Sequence, residues 1–202
     1  MKMNTIFYMV RHAIKEKSMG DVSITAEGLE QADLTARHFM GIPISRIFYS
    51  PLNRAKQTAD MIGQALQLPI VEDFRLRERV NWGDLPDQTF DEFVEIWDRC
   101  SKERDFSPPF GDSASQAGER LSSCLKELSV QYPHECMVIV THGGLITDFL
   151  INEFSEEVLN GIQPNFINEQ SNLISECSIT KIKCNSEEFR LIYFAETAHL
   201  RK

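Results

Sequence analysis

Short continuous apolar runs alternate along the chain with longer stretches in which apolar positions recur at helical spacing, which predicts strands alternating with helices. Residues 5–10 (TIFYMV) form the first apolar strand. Thr25 then reads as a helix N-cap, with Ile24 and Leu29 spaced as a hydrophobic staple and Leu29, Ala32, Ala36, Phe39 and Met40 on one helical face. Gly41 and Pro43 end that helix. Residues 46–49 give a second strand. Ser50 followed by Pro51 predicts an N-cap and a first helical residue, opening a helix to about Leu66. A third short strand covers 69–72. A helix over about 115–132 precedes the apolar strand 137–140, and another begins at Leu145, just beyond the glycine pair of THGGL. Two alternating runs, 173–182 and 189–195, predict a closing β-hairpin.

Residues 84–114 break this rhythm. Pro86, Pro108, Pro109 and Gly111 surround one amphipathic stretch carrying Phe90, Phe93, Val94 and Trp97. The break predicts an insertion, about 79–114, lying over the core. Aromatic side chains at helical spacing pack into cores more often than they line pockets, so Trp82, Phe90, Phe93 and Trp97 are read as packing. The pattern as a whole predicts an α/β fold: a three-layer αβα sandwich with a mostly parallel central sheet, helices on both faces, a small inserted cap and a C-terminal hairpin, in a single domain over 1–202.

Composition narrows the function classes. With 202 residues, 42% hydrophobic and 25% charged, the chain suits one globular domain with a substantial core. Its net charge of −9 argues against a nucleic-acid or anionic-membrane partner, while leaving room for a local basic pocket. Cys100, Cys124, Cys136, Cys177 and Cys184 show no C-x-x-C spacing, so reduced thiols are expected rather than disulfides or a zinc cluster. Cys136, opening a core strand, reads as a small buried hydrophobe. The apolar run 6–10 is too short for a signal-peptide core, and none approaches the ~20 residues of a membrane span. A soluble cytoplasmic protein, monomer or homodimer, is expected.

The candidate chemistry sits at the strand ends. The segments FYMVRH, IFYSPLNRA and MVIVTHGGL each hand a strand over to a loop or helix bearing Arg11 and His12, Arg54, and His142. Ligands of open α/β sheets bind beyond the carboxyl ends of the strands, so these groups would converge there. Helix N-termini after Ser50 and Thr141 add backbone N–H groups and a positive dipole end. Two arginines, two histidines and two helix starts specify a dianion. His38, His134 and His199 have no such company and are read as surface residues.

The same residues carry a resemblance. VRHA at 10–13, SITAEGLEQA at 23–32, SPLNRAKQTA at 50–59, RLRE at 75–78, GDS at 111–113 and VTHGG at 140–144 occur in the order seen in the histidine phosphatase superfamily, the phosphoglycerate-mutase-like fold. By matching position, His12 resembles the family's nucleophile, Arg11 and Arg54 its phosphate clamps, His142 its second phosphate-pocket histidine and Glu78 its proton donor. Ser18 stands where the family's mutases carry asparagine, and Ala13 where the family usually has glycine. Gly83 lies one position later than the pattern after Glu78, which makes Asp84 a second acid candidate. Ser18, Arg79 beside Glu78, and Gly143 after His142 complete the expected substrate contacts.

The residue types suit those roles. An imidazole attacks phosphorus only when its nucleophilic nitrogen is unprotonated, a state that neighbouring arginines favour, and a backbone carbonyl holding one ring N–H would aim the other nitrogen. Arginine offers a planar set of donors to phosphoryl oxygens. A carboxyl group beside a phosphate holds its proton more readily, since like charges disfavour ionisation, and can release it to a departing alkoxide. The resemblance therefore implies a phosphatase acting on a small phosphorylated substrate through a phosphohistidine, with no metal and no cofactor. A mutase that returns the phosphoryl group to another hydroxyl, and an idle phospholigand-binding protein, are the alternatives. The mutase is disfavoured by Ser18 and by a tail, AHLRK, without a basic segment to close over the intermediate.

Overall fold

A computed structural model describes residues 4–185 and 188–201. Among the described residues six strands form one sheet: β1 (Thr5–Arg11), β2 (Arg46–Tyr49), β3 (Ile70–Glu72), β4 (Cys136–Thr141), β5 (Ile179–Cys184) and β6 (Phe189–Glu196). Their spatial order is β3-β2-β4-β1-β5-β6. The first four run parallel, β5 is antiparallel to β1, and β6 closes an antiparallel hairpin with β5. The helices are α1 (Ala26–Phe39), α2 (Asn53–Leu66), α3 (Phe90–Lys102), α4 (Ala114–Gln131), α5 (Gly143–Glu153), α6 (Glu156–Ile162) and α7 (Phe166–Glu169). None among the described residues is long and apolar enough to cross a membrane.

The alternation of β1 explains the layers. Phe7 and Met9 point into one apolar cluster, with Leu121, Leu125 and Phe149 of α4 and α5. Tyr8 and Val10 point into another, with Ala36, Phe39, Ala55 and Ile62 of α1 and α2. A strand buried on both faces reads as a continuous apolar run, and the expected αβα sandwich follows.

Details differ from expectation where local competition decides. On α1 the buried face is Gly28, Ala32, Thr35, Ala36 and Phe39, while Leu29 and Met40 are exposed. The face is offset because Gly28 lies against the loop before the helix: a Cβ there would stand 2.3 Å from the Ile14 carbonyl oxygen. The expected alternating run 173–182 begins instead as a 3-10 turn (Gln170–Leu173) and becomes strand only at Ile179. Cys136 is partly rather than fully buried. His38 and His134 are exposed. His199 is not: it is half-buried, donating from Nε2 to the Cys177 carbonyl (3.1 Å), with burial first and His38 second pushing it down to about 4.

Candidate active site

His12 follows β1 directly, and its backbone N–H donates to the Thr141 carbonyl of β4 at 2.9 Å. Its Nδ1 lies 2.8 Å from the Ala13 carbonyl oxygen. A carbonyl can only accept, so Nδ1 carries the proton and Nε2 keeps its lone pair. Arg54 Nε donates to that lone pair at 3.1 Å. Burial foremost, then Arg54 and Arg11, hold the imidazole well below its ordinary pKa. The expected carbonyl-held, neutral ring is what the geometry shows.

His142 is the N-cap of α5 and is fully buried, its ring centroid 5.2 Å from that of His12. Burial, then Arg54, His12 and Arg11, hold it low as well. Its Nε2 lies 2.6 Å from Ser50 Oγ. The expected cap of α2 is thereby corrected: Leu52 takes the N-cap position, and the Ser50 hydroxyl is engaged with the imidazole. Sequence reasoning saw Ser50 as a helix signal and as the start of the SPLNRAKQTA motif, not as a partner of His142.

Arg54, the second residue of α2, is 4% exposed, and its Nη1 is buried with no partner. Arg11 ends β1. Its Nη1 donates to the Ile174 carbonyl and its Nη2 to Glu176 Oε1 at 2.6 Å, leaving Nε buried and unpartnered. His142 Nδ1 is a third buried polar atom without a partner. Orphaned polar atoms of this kind are costly unless a ligand satisfies them, and here they gather around one imidazole at the N-terminus of α5, where an anion is favoured.

Glu78 closes the same site. Its Oε2 accepts from the Gly144 N–H at 3.1 Å and its Oε1 from the Arg79 N–H at 3.0 Å. Gly144 permits this approach, since a Cβ would stand 2.5 Å from Trp97 Cη2 and 2.7 Å from Glu78 Oε1. Gly143 packs on Arg11, whose Cδ lies 3.4 Å from where its Cβ would be.

A cleft of about 460 Å³ opens here, lined by Arg11, His12, Arg54, Glu78 and Gly143, with Ser18 at its exposed edge. Lys15 also lines it, half-buried, its pKa lowered by burial, Arg54 and Arg11. Lys15 and Glu176 were not found from sequence; Lys15 had the signal of lying three positions beyond His12, whereas Glu176 had none.

Two expectations change. Trp82, Phe90, Phe93 and Trp97 are not core packing but one wall of the cleft, their rings in series at 5.0, 6.3 and 6.0 Å. Only Cys100 of α3 is fully buried, so the apolar stripe has the cleft to face rather than a second layer. Arg79 does not reach the cleft. Its Nη1 donates to both oxygens of Asp148 at 2.9 and 3.1 Å, its Nη2 to Ser101 Oγ, and its guanidinium stacks on Trp97. Asp84 lies outside the main cleft as well, its Oδ2 accepting from the Asn81 N–H at 2.8 Å.

Among the described residues no group of three or more His, Cys, Asp or Glu side chains is gathered to hold a metal ion. A family model for the histidine phosphatase superfamily (branch 1) matches residues 7–197. The chain is 28% identical over 203 residues, 97% of each chain, to the Bacillus subtilis protein named uncharacterized phosphatase PhoE. It is 31% identical over 152 residues to a Salmonella typhi protein named probable phosphoglycerate mutase GpmB, covering 67% of this chain and 68% of that one. A crystal structure of phosphoserine phosphatase from Entamoeba histolytica, in complex with 3-phosphoglyceric acid, superposes with a TM-score of 0.75 at 23% identity, over 98% of this chain and all of that one. Strand-end histidines, buried arginines beside them and similarity over 97% of the chain agree: the chain belongs to the histidine phosphatase superfamily, branch 1, and is a phosphoric monoester hydrolase.

Proposed function

We propose that this hydrolase works through a covalent phosphohistidine on His12, without a cofactor, with Glu78 as proton donor. The observation that carries the reading is the tautomer of His12: Nδ1–H held by the Ala13 carbonyl and Nε2 unprotonated within reach of Arg54. The Nε2 lone pair attacks phosphorus, the bond from phosphorus to the ester oxygen breaks, and the departing alkoxide takes the proton of the Glu78 carboxylic acid. Glu78, now a carboxylate, takes a proton from water, whose oxygen attacks the phosphohistidine. The P–N bond then breaks, and its electron pair returns to Nε2. Arg11, Arg54, His142 and the α5 N-terminus neutralise the charge on the equatorial oxygens.

The substrate is proposed to be a small phosphomonoester whose leaving group lies along the aromatic wall formed by Trp82 and α3. In this reading Ser18 and Gly143 contact the substrate, residues 79–114 act as an inserted cap, and Arg79 supports that cap rather than touching substrate. Rapid quench with a labelled phosphomonoester should trap an acid-labile phosphoenzyme, absent in His12→Ala, and that variant should fold normally but lose turnover. A tenth of wild-type rate remaining in His12→Ala would refute the nucleophile. The mutase reading has a similar relative in its favour; it predicts a persistent phosphoenzyme with no net release of phosphate.

A further inference from the structure

The outer edge of Arg11 is already occupied. The antiparallel ladder of β5 against β1 extends past Val10 and Ile179, with the Arg11 N–H donating to the Ser178 carbonyl and the Cys177 N–H to the Arg11 carbonyl at 2.9 Å. Cys177 then adopts φ +55°, a left-handed conformation that non-glycine residues seldom take, and the chain turns back over the Arg11 side chain. That turn puts the Ile174 carbonyl on Nη1 and the Glu176 carboxylate on Nη2. On the opposite side Gly143 packs against the guanidinium, with Arg11 Nε 3.5 Å from where its Cβ would be. The guanidinium is therefore held in one plane from both sides, with its unpartnered Nε buried at the start of α5.

We propose that Glu176 is a positioning residue for phosphoryl transfer: it fixes the plane of Arg11 so that the arginine meets the phosphoryl group through Nε. A long side chain left free would have to lose its rotamer entropy in every turnover. An arginine already clamped meets the developing charge without reorganising. Glu176 also offsets part of the positive charge that Arg11, Arg54 and Lys15 bring to one cleft. This inference rests on the phosphohistidine reading, which fails if His12→Ala still turns over; the positioning role fails on the measurements below alone.

The test compares wild type, Glu176→Ala, Glu176→Gln, Arg11→Lys and the double variant Arg11→Lys/Glu176→Ala on an activated aryl phosphate, with vanadate and inorganic phosphate as inhibitors. Glu176→Ala should lower kcat by up to ~10²-fold, the loss that a misplacement of ~1 Å can cause, with little change in KM and an unchanged circular dichroism spectrum. Glu176→Gln keeps an oxygen acceptor and should recover most of that loss. Vanadate affinity should fall with kcat in Glu176→Ala, and phosphate affinity should fall less. In the Arg11→Lys background the second substitution should add less than about twofold, because the two act as one unit. Independent, multiplying losses would overturn the proposal, as would wild-type kcat in Glu176→Ala. A gain in phosphate affinity with unimpaired turnover would mean that Glu176 merely competes with the dianion for Arg11.

Discussion

Keeping an imidazole neutral while two guanidiniums stand beside it is the central requirement on His12, and burial does most of that work. A buried site disfavours the charged form, and Arg54 and Arg11 disfavour it further. Protonation would also remove the lone pair to which Arg54 Nε donates. Ring NMR signals of His12 and His142 should therefore stay those of the neutral form as pH falls through the ordinary histidine range near ~6.5; titration of either at or above that value would contradict the geometry. Glu78 has a complementary test. Glu78→Gln should slow alkyl phosphates by ~10²–10⁴-fold and an activated aryl phosphate far less, since only the poor leaving group needs the proton. Equal losses would take the donor role away from Glu78. Arg11 and His12 stood out in the sequence because a strand end followed by arginine and histidine is a local pattern, whereas the role expected of Glu78 came from the resemblance. The orientation of Arg11 was not legible there, because its partners lie 163 and 165 positions downstream.

Helix α3 shows what periodicity can and cannot say. Its apolar stripe made the segment recognisable as amphipathic, and the structure closes the helix start with a Thr89 capping box, but a stripe does not declare whether it faces a core or a cleft. Here the anchoring is polar: Arg79 ties Asp148 of α5 to the Trp97 carbonyl and Ser101 of α3, its side chain 1% exposed. Removing Arg79 leaves the buried Asp148 to its longer contact with Arg104 at 3.5 Å, and breaking a buried pair typically costs ~3–5 kcal/mol. Arg79→Ala should thus lower the thermal midpoint by on the order of ten degrees in a chain of this size. A substrate contact would instead raise KM at unchanged stability. Strands β1, β2 and β4 were readable because both of their faces are apolar, whereas α6, α7 and the 3-10 turn before β5 were missed, being too short for any period to register.

At the scale of the molecule, an excess of nine negative charges surrounds a cleft lined by three cations, Arg11, Lys15 and Arg54. With those guanidiniums in place, turnover should survive excess chelator; strict dependence on added divalent metal would show that the protein's own donors do not suffice. The sheet order has a consequence for how the molecule is made. Central strand β1 is paired on one side by β4 and on the other by β5, which begins at Ile179. A chain emerging from the ribosome displays Arg11, His12 and Arg54 early, yet one edge of β1 stays open until Ile179–Cys184 has been synthesised. Nascent chains stopped just short of Ile174 would carry His12, Arg54, Glu78 and His142 without the segment that orients Arg11. Catalytic competence should therefore arrive as a late, single event of translation rather than grow with chain length.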